Sequence, residues 1–147
     1  MNDRRAELLA DENAAWNELH DLVERVPLDA CDDPTLPAEW SVNDVLFHVG
    51  AWLADCANEF ERMGAGTFVP SDESSDGQNA AWLEVSRGMD AQGCRAQFES
   101  GHSQMLHHFG DLREIDPHAI EWFEESGPMH YRAHAPDLRA WLAERGL

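Results

Sequence analysis

Apolar residues recur at helical spacing through four long stretches of this chain, and no stretch alternates apolar with β-branched residues as a strand would. A chain patterned this way hides one stripe of each helix against its neighbours and builds no sheet. The first stripe, Leu8, Leu9, Trp16, Leu19, Val23 and Val26, predicts a helix over residues 4–26 that stops at Pro27, which lacks the N–H a continuing helix needs. The second, Val42, Val45, Val49, Trp52, Leu53, Cys56 and Phe60, predicts a helix from Ser41 to about Met63, with Ser41 and Asp44 capping its start and Gly64-Ala65-Gly66 ending it. Asp90 opens a third, reaching about Phe109 through Cys94, Phe98, Met105 and Leu106, with Gly101 a weak point in its middle. Pro128 suits a first turn and opens a fourth that runs to Arg145, where Pro136 removes the bond to the Arg132 carbonyl and predicts a kink.

Short helices are expected over 78–87 and 117–125, and the Gly/Ser/Asp-rich residues 64–79 read as a long loop, a lid or pocket rim. Four long helices in 147 residues describe an all-α chain, a four-helix bundle forming a single domain over 1–147.

The chain carries 29 acidic and 10 basic residues, a formal charge of −19, which argues against nucleic acid or an anionic membrane surface as partner. No apolar run approaches the ~20 residues needed to span a bilayer. Cys31, Cys56 and Cys94 show no CxxC spacing, and the opening Met1-Asn2-Asp3-Arg4-Arg5 leads into an amphipathic stretch, not an apolar signal core. A cytoplasmic protein with buried, inert thiols is the expectation.

Among the eight histidines, His130 and His134 lie four apart, so a helix sets their rings on one face, one turn apart, where both can grip one metal ion. His48 falls on the edge of the second apolar stripe, one turn after Asp44 and one before Trp52. Two histidines from one helix and one from another would leave a coordination position open for water or substrate, the arrangement of catalytic metal sites. His20, His102, His107, His108 and His118 are assigned no role; Asp44 is read as a cap, and Trp40 as a staple before the second helix. Trp52 lies on the core stripe. Asn79 and Trp82, beside the long loop, are candidates to line a pocket, whereas Glu59, further along the His48 side of its helix, is not assigned as a base.

The segments Trp40-Ser41-Val42-Asn43-Asp44-Val45-Leu46-Phe47-His48 and His130-Tyr131-Arg132-Ala133-His134-Ala135-Pro136-Asp137-Leu138-Arg139-Ala140-Trp141-Leu142 resemble the DinB-like superfamily. Asn79-Ala80-Ala81-Trp82 is similar to an Asn-x-x-Trp stretch in several of its branches, which include mycothiol- and bacillithiol-dependent enzymes. The resemblance implies a bundle of up-down-down-up topology in which His48, His130 and His134 hold a divalent metal, Zn²⁺ or Ni²⁺ by their nitrogen chemistry. It implies a small-molecule substrate bound beside Trp52, Asn79 and Trp82, a low-molecular-weight thiol as a further cofactor, and a homodimer, as among relatives. Metal-dependent hydrolysis and thiol transfer are both open at this point. So is a stress-linked protein that binds or sequesters a small molecule or metal without turnover.

Overall fold

Proline, glycine and capping carboxylates set the breaks of the chain, and the computed structural model describes residues 2–147. The helices are α1 (Asn2–Glu24), α2 (Val42–Ala65), α3 (Asp76–Arg87), α4 (Ala91–Asp111), α5 (Pro117–Ser126) and α6 (Pro128–Glu144), with single 3-10 turns at Leu28–Ala30 and Pro37–Glu39. The Asp90 carboxylate accepts from the Gly93 N–H at the start of α4, and Asp116 accepts from Ala119 at the start of α5. Pro117 and Pro128 each stand in a first turn, where a missing N–H costs nothing. No strand occurs among the described residues, only an isolated bridge between Leu36 and Trp40, and the all-α expectation holds. No helix among them is long and apolar enough to cross a membrane.

The long loop is shorter than its composition suggests. Helix α2 continues through Gly64 to Ala65, and α3 starts at Asp76, leaving residues 66–75 irregular. A glycine inside a helix costs only about 1 kcal/mol, so Gly64 need not stop one. The break comes at Gly66, whose φ of +74° suits glycine.

The chain divides into two compact units, one made of the residues up to Val42 with Ile115–Leu147, the other of Asn43–Glu114. In the first, α1 and α6 lie side by side. Arg132 makes a bidentate pair with Asp11, Arg139 pairs with Glu18, and the Tyr131 hydroxyl donates to Glu12. Partners advance together along both helices, so α1 and α6 run parallel. Between them Leu19, Val23, Tyr131, Leu138 and Leu142 are buried, and the rings of Trp16 and Tyr131 meet edge to face at 5.4 Å. Gly127 lets α5 turn directly into α6, for a Cβ there would lie 2.7 Å from the Phe123 carbonyl oxygen.

In the second unit α2 and α4 approach until their backbones touch. A Cβ on Gly101 would fall 2.2 Å from the Gly50 carbonyl oxygen, and one on Gly50 2.3 Å from that of Gln97. Further along, Phe60 meets Phe109 with ring centroids 5.5 Å apart, so α2 and α4 are also parallel. Parallel neighbours need a crossover. Residues 66–75 and α3 provide it, α3 returning antiparallel to α2 with Asn79 opposite Trp52 and Ser86 opposite Asp44.

Candidate metal centre

Helix α6 delivers the histidine pair as its period requires. The Nε2 atoms of His130 and His134 stand 3.1 Å apart, with ring centroids at 4.8 Å and planes inclined by 62°. Burial pushes the His134 pKa below the usual imidazole value, and the nearby Asp137 carboxylate only partly opposes this. A neutral imidazole keeps the lone pair that a metal needs. The spacing also fits: two nitrogens about 2.0–2.1 Å from one ion, and 3.1 Å from each other, subtend an angle of about 100°, near the tetrahedral value. Trp40 flanks the pair, its ring stacked near His134 at a centroid distance of 6.4 Å and an interplanar angle of 19°. Sequence reasoning gave Trp40 a different task, that of a staple.

Tyr131 sits between the two histidines in sequence but faces the other way, fully buried, with its hydroxyl 3.4 Å from Glu12 Oε2. Glu12 is itself only 1% exposed. The sequence did hold a signal for it. Glu12 lies one turn from both Leu8 and Trp16, inside the apolar stripe of α1, where an acid needs a polar partner across the interface.

In the Asn43–Glu114 unit, His48 is buried on α2 between Asp44 and Trp52, each one turn away. The Asp44 carboxylate, 3% exposed, accepts a 2.6 Å hydrogen bond from the Ser86 hydroxyl. Asp44, expected as a cap, thus ties α3 to α2. Trp52, Asn79 and Trp82 come together as a cluster: the Trp52 indole N–H donates to Asn79 Oδ1 at 2.7 Å, and the Trp82 ring meets that of Trp52 edge-on at 4.9 Å. All three are half-buried, so a flat aromatic face and a side-chain amide are offered together. Glu59 is occupied by an ion pair with Arg62, one turn along. Cys31, Cys56 and Cys94 are buried thiols, as expected.

Within their own unit His130 and His134 thus offer two imidazole donors at a separation that could hold a metal ion. By sequence and helical fold the chain is a DinB-like domain. More narrowly, it belongs to the family described as the mycothiol maleylpyruvate isomerase N-terminal domain, which it matches over residues 13–145. No curated protein and no solved structure matches it.

Proposed function

We propose that His48, His130 and His134 bind one divalent metal ion, Zn²⁺ or Ni²⁺, and that the protein is a metal-dependent enzyme for a small molecule, a thiol transferase in preference to a hydrolase. The observation that carries this reading is the His130–His134 pair, two nitrogens at a chelating separation on a half-buried helix face. The family description, which names a thiol, favours a low-molecular-weight thiol over water as the nucleophile. When bound, the ion supplies Lewis acidity, which lowers the pKa of a thiol or a water towards neutrality. The chain's own part is to keep His134 unprotonated by burying it and to present Trp52, Asn79 and Trp82 as a substrate surface. There the Trp52–Asn79 hydrogen bond fixes the amide that would orient a polar group of the substrate.

The two parallel helix pairs, α1 with α6 and α2 with α4, are those required by an up-down-down-up four-helix bundle, and we take the chain to be one such domain. A cytoplasmic homodimer fits the same reading.

The test is elemental analysis of protein purified without a metal-affinity tag. One ion per chain is expected, lost on His134→Ala and on His48→Ala. Unchanged stoichiometry in either variant overturns the ligand assignment. Thiols are then screened with electrophilic acceptors, and esters with water, each with and without chelator. Turnover abolished by chelator supports an enzyme, whereas a metal-loaded protein with no such turnover leaves a sequestering protein.

A further inference from the structure

The segment leading from α1 to α2 carries more strain than a connection needs. Ala38 and Glu39, neither of them glycine, both hold φ at +61°. Consecutive left-handed residues with a Cβ persist only where their surroundings over-determine them. Here the surroundings are specific. Leu36 donates its N–H to the Trp40 carbonyl at 2.9 Å, Glu39 donates back to Leu36 at 3.1 Å, and the Leu36 side chain is buried. Just upstream, the Thr35 hydroxyl oxygen accepts from the Trp141 indole N–H at 2.8 Å and from the Arg145 guanidinium. Arg145 also donates to Asp33 and lies 3.9 Å above the Trp141 ring.

Both ends of this path rest on α6. Trp141 and Arg145 hold Asp33 and Thr35, the strained turn follows, and Trp40 at its far end lies nearly parallel to His134, two helical turns before Trp141. A histidine ring rotates about a broad second torsion, and a flat indole alongside restricts it. We propose that Trp40 is a positioning residue for His134 and that the Arg145–Trp141–Thr35 clamp, acting through the strained Leu36–Trp40 turn, sets the indole in place. The inference deepens the metal-site reading, on which its consequence for binding rests: a ring held in the ligating orientation binds metal without first being ordered.

The proposal is tested first without metal, through the His134 ring-proton resonances of the full chain. Trp40→Ala removes the ring current and is expected to shift them; Trp40→Phe, which keeps a flat ring, is expected to restore most of the shielding. Arg145→Ala is the decisive variant, since the clamp touches neither ring. It is expected to shift the same resonances, and Thr35→Val, which removes the acceptor shared by Trp141 and Arg145, serves should Arg145→Ala fail to fold. Unmoved His134 resonances in a folded clamp variant, or in Trp40→Ala, overturn the proposal.

Cobalt titration follows. Trp40→Ala and the clamp variant are expected to bind Co²⁺ about 10–100-fold more weakly with an altered visible spectrum, as when outer partners of a ligand are lost, and Trp40→Phe to bind close to wild type. Equal affinity and spectrum in all of them refutes the consequence for binding. Should the wild type take up no cobalt, the metal-site reading fails, and the ring-proton shifts still decide whether Trp40 and the clamp position His134.

Discussion

A carboxylate withdrawn from water must be given donors in exchange, and Asp44 takes one from Ser86 across to another helix. Hydrogen bonds to charged groups contribute about 1.5–3 kcal/mol, and this one comes from Ser86, a buried residue of α3. Ser86→Ala is expected to lower stability by about 1–3 kcal/mol in urea unfolding; a loss indistinguishable from zero would show that α3 is held elsewhere. Residue by residue, the site divides by how local its cause is. His130 and His134 were legible because the helical period alone puts them on one face. Asn79 and Trp82 were singled out as pocket candidates from their place beside the long loop and Trp52 was read on the core stripe, but nothing in the spacing disclosed the hydrogen bond that joins Trp52 to Asn79, 27 residues apart. Trp40 beside His134 and Glu12 beside Tyr131 escaped for the same reason, since each partner is more than ninety residues distant.

Among the elements, the contact between α2 and α4 turns on Gly50 and Gly101, the second of which had an unfavourable sequence reading. Gly101 weakens a helix by propensity, which predicts that alanine there would stabilise it by up to about 1 kcal/mol. The packing reverses the sign. A Cβ 2.2 Å from the Gly50 carbonyl meets backbone, which cannot swing aside, so the helices must separate. Overpacking of this kind costs about 1–3 kcal/mol, and Gly101→Ala is expected to destabilise by about that much. Gly64→Ala, within α2 but facing open space, is expected to be neutral or mildly stabilising. Urea midpoints for the two variants separate propensity from packing, and a stabilised Gly101→Ala would refute the close approach. Helix ends were legible to within a few residues because Pro27, Asp90, Pro117 and Pro128 act locally. The parallel sense of α1 with α6 and of α2 with α4 was not legible from spacing, being set by pairs such as Asp11–Arg132 and Gly50–Gly101 that meet only once the helices pack.

For the molecule as a whole, charge opposes what the pairs contribute. A net charge of −19 repels itself in the folded state, while exposed pairs such as Asp11–Arg132 contribute at most about 1 kcal/mol each. Salt screens both, and the excess of 29 acidic over 10 basic residues makes the repulsion the larger quantity. The thermal midpoint at pH 7 is therefore expected to rise with sodium chloride, although the difference between wild type and Asp11→Asn should shrink. Acid acts on the pair in a defined direction. The hydrogen bond from Arg132 holds the Asp11 pKa below its ordinary value, so the folded state binds the proton less readily than the unfolded chain. Its contribution is complete above the unfolded value of about 3.9 and is lost as pH falls through the lowered one. Wild type and Asp11→Asn should accordingly differ at pH 7 and converge once the pH has fallen through the lowered Asp11 pKa. A midpoint that falls with salt would mean that attractive pairs, not the acidic excess, govern the electrostatics of the fold; a difference that persists in strong acid would mean that Asp11 acts by packing and not by its charge.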